Sequence, residues 1–322
     1  MYNQQGSVTF DKEGEVIGYR RVLDGTIWNC NGGRTPWGTW ISAEEDMSRF
    51  RGLAWEVDPL GLVPAKAIQM GQTNDRGGGA FEAFAYDMLD SSKPRFYLTE
   101  DDYYGALERW TPSLANWTDP AFNMLHGLGV SEYLLLEPNA NNPSVGRFSW
   151  TTDLEAARGN ANDYYPTSEG IDVPPGSTFL YFVCKMTKHL FRLDLINNSY
   201  LRQSTEEGLF EGEPDQLRKV LGDVGDGETM LYFTEDNGNR AGIHAKNGRN
   251  ELLTILEGWY SPETTGLAFS PDKRFMYVCF QDDGFCFAIW RLDGLSFTAK
   301  TLKVKRNDNE ANTAANDDRK RS

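Results

Sequence analysis

Only three histidines (His126, His189 and His244) occur in 322 residues, with no H-E-x-x-H and no close pairing. A metal site built from several imidazoles is thereby excluded. The four cysteines, Cys30, Cys184, Cys279 and Cys286, are too few and too scattered for a disulfide scaffold. None forms a C-x-x-C pair, which removes a zinc finger, so any metal site must rely mainly on oxygen ligands. No apolar run reaches the ~20 residues that cross a bilayer, and Met1 is followed by Tyr-Asn-Gln-Gln-Gly rather than a charged-then-apolar leader. Basic residues are also scarce: 32 Lys plus Arg stand against 47 Asp plus Glu, a formal net charge of -15. That balance excludes nucleic-acid backbones and anionic membrane surfaces as partners. The same surplus suits hard cations such as calcium, although acidity by itself usually serves solubility.

What the chain does have is aromatic residues (13%), 32 Gly and 14 Pro, a mixture that favours short strands joined by many turns. Apolar, β-rich runs recur at Phe96-Tyr-Leu-Thr, Glu132 to Glu137, Thr178 to Cys184, Met230 to Thr234, Leu252 to Leu256 and Phe275 to Phe280, each bounded by Gly, Pro, Asn or Asp. Leu98-Thr-Glu-Asp-Asp and Phe233-Thr-Glu-Asp-Asn echo one another, each with Gly and Ala soon after. Repeated meanders of this kind predict an all-β propeller over residues 1–302. The segments Gly208 to Leu221 and Ala43 to Phe50 are expected as short helices, and 303–322 as a disordered tail. Because a dense motif is reached by Cys30, a leader and part of the fold are expected upstream of Met1. The compartment is then secreted or periplasmic with such a leader, and cytoplasmic without one. The sequons at Asn116 and Asn197 are compatible with secretion.

The most specific segment runs Asn29-Cys-Asn-Gly-Gly-Arg-Thr-Pro-Trp-Gly-Thr-Trp-Ile-Ser-Ala-Glu-Glu-Asp46. Its glycines allow tight backbone around a thiol and an acidic triplet. A thiolate is a soft, strongly donating ligand that an all-oxygen calcium site does not need, so Cys30 among carboxylates points to a transition metal beside calcium. Adjacent side chains on a strand face opposite ways, so one of Glu44 and Glu45 binds metal and the other supports it. Glu82, within Phe81-Glu-Ala-Phe-Ala-Tyr-Asp87, sits between apolar residues where an unpaired charge is costly. Glu100 and Asp101, like Glu235 and Asp236, close blade strands whose ends converge on the axis, where they either share a calcium cluster or simply form turns.

The Cys-x-Gly-Gly-x-Thr-Pro-Trp-Gly-Thr segment with its Glu-Glu, together with Phe-Glu-x-Phe-Ala-Tyr-Asp, Thr-Glu-Asp, Pro-Asp-Gln and Glu-Thr-Thr-Gly-Leu, resembles the PhoX-type alkaline phosphatases, in particular their eukaryotic-looking branch. The resemblance implies a six-bladed propeller that holds calcium and iron and hydrolyses small phosphate esters; a monomer is expected. It implies metal ligation by Cys30, the Glu44–Glu45 pair and Glu82, by Asp215 in Glu213-Pro-Asp-Gln, and by Glu263. Phe81 stands where relatives carry a histidine. Glu213 stands where the family has an arginine that clamps phosphate, which leaves Arg34 and Arg240 as candidate phosphate contacts. Two rival readings are a catalytically inactive, calcium-stabilised propeller and a lactonase-like calcium propeller.

Overall fold

The computed structural model describes residues 4–11, 13, 15–72, 77–113, 124–206, 210, 212–221, 229–237, 240–247, 251–257 and 262–297. The tail expected at 303–322 and the sequon at Asn116 lie outside them. The chain opens with a hairpin of β1 (Gln4–Phe10) and β2 (Val16–Asp24). A four-stranded meander follows: β3 (Asn29–Arg34), β4 (Trp40–Glu44), β5 (Ala54–Val57) and β6 (Lys66–Ala67). Next come β7 (Phe81–Asp87), β8 (Arg95–Glu100), β9 (Glu108–Pro112), β10 (Gly129–Asn139) and β11 (Asn142–Thr151). The third meander comprises β12 (Ser168–Asp172), β13 (Phe179–Cys184), β14 (His189–Asp194) and β15 (Ser199–Ser204). The long β10–β11 hairpin reaches out so that β11 pairs with β15, which joins the second and third meanders into one nine-stranded sheet. Then follow β16 (Glu213–Leu221), β17 (Thr229–Asp236), β18 (Ile243–Asn247) and β19 (Leu252–Leu256), and finally β20 (Thr264–Phe269), β21 (Phe275–Phe280) and β22 (Phe285–Trp290).

All the pairings within these sheets are antiparallel, and the arrangement is a β-propeller. The first strand of each meander, β3, β7, β12, β16 and β20, lies against the next one around the axis. The expectation was six blades; five such first strands occur among the described residues. Because adjacent blades cover one another's faces, apolar side chains gather between blades. Ile41, Phe84, Phe96 and Leu98 fill the first interface, Leu134, Phe182 and Phe191 the second, Tyr181, Leu217 and Phe233 the third, and Tyr232, Ile243, Met276 and Val278 the fourth. Gly33 is required where β3 and β7 meet, since a Cβ there would overlap the carbonyl oxygen of Phe84.

The six apolar runs fall on β8, β10, β13, β17, β19 and β21, as their β-branched and aromatic content predicts. The two expected helices are not helical. Trp40–Glu44 is a strand followed by a turn, and Glu213–Leu221 is an inner strand. Residues 214–217 are buried, and burial on both faces removes the period-2 signal that marks a half-exposed strand. Among the described residues, one helix that the sequence did not announce is α1 (Leu154–Tyr164), started by Asp153, whose carboxylate accepts from the Ala156 N–H at 3.1 Å. It seals the β10 face with Ala157 and Ala161. Cys279 and Cys286, cross-strand partners on β21 and β22, form a disulfide, so scattered thiols yield one staple rather than a scaffold. No helix among the described residues is long and apolar enough to cross a membrane.

Candidate metal centre

The same irregularity recurs in every first strand. Pairing jumps from Asn29 to Gly32 on β3, from Phe81 to Phe84 on β7, from Ser168 to Ile171 on β12, from Pro214 to Leu217 on β16 and from Thr265 to Ala268 on β20. In each case two residues oppose one, which defines a β-bulge, a device that re-aims side chains. The first bulged residue is Cys30, Glu82, Glu169 and Asp215 in the first four blades, and Gly266 in the fifth. Four blades therefore deliver a metal-type donor and the fifth delivers none. The thiol of Cys30 and one oxygen each of Glu45 and Glu82 lie within 4.8 Å of one another, as do single oxygens of Glu82, Glu169 and Asp215. Glu82 belongs to both groups.

The second strands supply the support. Where β8 and β17 end in Thr-Glu-Asp, the three residues divide the labour. Thr99 Oγ1 accepts from the bulged Ala83 N–H and Thr234 Oγ1 from the bulged Gln216 N–H, both at 2.9 Å. The glutamates fold back onto backbone. Glu235 accepts from Gly212 N–H at 2.5 Å and Gly242 N–H at 3.0 Å, with His244 Nε2 also at 3.0 Å. Glu100 faces Ala80 N–H at 3.4 Å. Glu44, at the same place on β4, accepts from Ile27 and Leu53 N–H at 2.8 Å each. The following residues, Glu45 and Asp101, face the centre, and Asp101 makes hydrogen-bond contacts with Glu45 and Glu169. Carboxyl groups meet in that way only by sharing a proton or a cation.

The electrostatics are those of a site built for positive charge. Burial, reinforced by repulsion from Asp215 and Glu45, pushes the carboxyl of Glu82 well above the usual range. Burial likewise raises Glu169, next to Glu82 and Asp101, and Asp215, next to Glu263. Glu45 rises to about 7 through burial and the Asp101 charge, and Glu263 to about 7 through burial and Asp236. The Cys30 thiol is raised by burial and by Glu82. Oε1 of Glu82 is buried with no hydrogen-bond partner, a cost that a bound cation relieves. Lys185 is the basic side chain among the described residues that acts on Glu45, Asp101, Glu169, Asp215 and Glu263 together.

Of the residues singled out in the sequence, the structure thus gathers Cys30, Glu45, Glu82, Asp101 and Asp215. It holds Glu44, Glu100 and Glu235 in backbone hydrogen bonds beside them. Glu263 stands at the rim, where Gln281 Nε2 donates to it at 2.7 Å, and lies outside both donor groups. Glu213 accepts from Asn237 Nδ2 at 2.9 Å. Arg34 is exposed at the far end of β3, four residues and about 13 Å along the strand from Cys30. Arg240 is exposed and ion-paired to Glu257 at 3.2 Å. Two residues escaped the sequence reading. Glu169 lies in Ser-Glu-Gly, which matches none of the family motifs, and Lys185 follows Cys184 where three other blades carry acids. The available signal was positional: Glu169 opens an inner strand as Glu82 does.

Fold and centre together define a class: a β-propeller whose inner-strand bulges aim a thiol and buried carboxylates at one point. Residues 12–150 match the family model for alkaline phosphatase PhoX. The structure of Pseudomonas fluorescens PhoX in complex with vanadate, a transition state analogue, superposes with a TM-score of 0.61 at 16% identity, over 86% of this chain and 71% of that one. A nidogen/laminin complex structure follows at TM-score 0.51 and 8% identity, over 91% and 92%. At such identities the likeness is one of fold. No curated protein matches the chain. Over residues 12–150 the chain is similar to the PhoX family of alkaline phosphatases, and it shares the fold of a PhoX structure.

Proposed function

We propose that the protein is a metal-dependent phosphomonoester hydrolase, with calcium beside a transition metal, iron, at the axial centre. The observation that carries the reading is the pair of donor groups sharing Glu82. Their composition fits two kinds of ion. Cys30, Glu45 and Glu82 include a soft sulfur and suit a transition metal, whereas Glu82, Glu169 and Asp215 offer only oxygen and suit calcium. The unpartnered Oε1 of Glu82 supports the fit. Bound there, such ions would supply Lewis-acid polarisation of a phosphoryl oxygen and an acidified water.

The chain's own part is to hold the donors rigidly, through the bulges and the Thr and Glu hydrogen bonds behind them, and to keep solvent from the buried carboxylates. Water is the assigned nucleophile. His126 is engaged with Glu56 at 2.8 Å and His244 with Glu235 and Thr254, away from the role of activating a serine. The cross-strand disulfide supports placement in an oxidising compartment.

Protein reconstituted with calcium and iron should hydrolyse an aryl phosphate well above a Cys30→Ala control, and metal analysis should find both ions. Equal rates in the two proteins would overturn the reading. A second reading, a calcium-stabilised propeller without turnover, is favoured by the carboxylate at Glu213 where the family motif carries a cation. Calcium-dependent melting with no hydrolysis of esters or lactones would select it.

A further inference from the structure

Position 185 breaks a repeat. Beyond the pairs Asn29–Glu44, Phe81–Glu100, Ser168–Cys184, Pro214–Glu235 and Thr265–Cys279, the next residue along the second strand is Glu45, Asp101 and Asp236 in the first, second and fourth blades, Phe280 in the fifth and Lys185 in the third, so a cation stands where three blades carry an acid. The break is held in place by backbone. The Lys185 N–H donates to the Thr167 carbonyl at 3.0 Å, its own carbonyl accepts from Lys188 N–H at 3.1 Å, and Thr167 N–H donates to the Asp102 carbonyl at 3.0 Å. Thr167 is buried and adopts a φ of 52°, which a non-glycine residue does only when its surroundings impose it. This strap ties the loop after β8 to the loop after β13.

The ammonium is thereby set at 2.8 Å from Asp236 and 3.5 Å from Glu169. Asp236 in turn lies directly across the strand pair from Glu213. The Lys185 side chain retains 24% exposure while that of Glu169 beneath it retains 3%, so the cation stands between the donors and solvent. Acids at the equivalent positions would repel an incoming phosphoryl dianion, and Lys185 is the member of the ring that attracts one.

We propose that Lys185 is the substrate-anchoring cation of this centre, binding a non-bridging oxygen of the phosphoryl group at the mouth above Glu169. The inference rests on the phosphatase reading, and its test separates the two. Metal-reconstituted wild type, Lys185→Met and Lys185→Arg are compared by metal content, by calorimetric titration with inorganic phosphate and by aryl phosphate kinetics. Lys185→Met should keep its metals yet bind phosphate about ten-fold more weakly and raise KM by a similar factor, with kcat changed less. Lys185→Arg should recover most of the affinity. Unchanged phosphate affinity in Lys185→Met, whether or not metal is lost, would reduce Lys185 to a counter-charge and overturn the inference. A wild type that binds phosphate through Lys185 but hydrolyses nothing would sustain this inference and sink the phosphatase reading alone.

Discussion

Glu82 and Glu235 are both buried strand glutamates, yet their surroundings give them opposite roles. Glu235 is satisfied: desolvation would raise its carboxyl, but hydrogen bonds from His244, Gly212 and Gly242 hold it below the usual range. Glu82 instead has one oxygen without a partner and acidic neighbours. Glu82→Gln should therefore raise the melting temperature of the metal-free protein while abolishing the rise that added calcium produces, as followed by calorimetry. Glu235→Gln should do the reverse. It presents an amide donor to N–H groups and costs about 1–3 kcal/mol in denaturant unfolding, with metal content retained. Glu108, far from the centre, is raised by burial to about 7 despite accepting from Ser131 and Gly71. A raised folded-state value in an acid means stability present below its ordinary value of 4.5 and lost as pH climbs through 7. Relative to Glu108→Gln, the wild type should lose roughly 3 kcal/mol between pH 4.5 and 8, at about 1.4 kcal/mol per pKa unit, readable from unfolding at the two pH values.

At the scale of the element, the working part is a bulge on an inner strand and the Thr-Glu-Asp that closes the strand beside it. Thr234 satisfies the bulged Gln216 N–H and stands 3.5 Å from Asp215. Thr234→Val keeps the shape but leaves that N–H buried and unpaired. It should cost about 1–3 kcal/mol and weaken calcium binding, measured by unfolding and by titration calorimetry. The Thr-Glu-Asp echo was legible in the sequence as a repeat, but the division of labour within it was not. The adjacency of Glu44 and Glu45 implies side chains on opposite faces of the strand, and the structure puts Glu45 toward the centre and Glu44 on backbone. The inner strand β16 resists reading for a physical reason: its residues 214–217 are buried on both faces and bulged, so neither alternation nor a helical period survives in it.

At the scale of the molecule, the centre exists because separate blades bring acids together that the chain keeps far apart, from Cys30 to Asp215. Such concentrated like charge opposes folding, so cations that bind only the folded state should stabilise it by mass action. At a free calcium concentration 100 times the dissociation constant the gain is about 2.7 kcal/mol. The melting temperature should rise with calcium and fall again on chelation, whereas sodium at matched ionic strength should leave it nearly unchanged.

The strands that carry the six apolar runs, the propeller class, the thiol among acids and the family likeness were decided by residue type and local order, because strand propensity, turn residues and short motifs are properties of neighbours in sequence. Only the tertiary structure decided which acid of each pair faces the axis. It alone brought in Glu169 and Lys185, moved Arg34 and Arg240 to the surface, and joined Cys279 to Cys286. Those outcomes depend on strand register and on contacts between blades, and a one-residue bulge is enough to send a side chain to the other face.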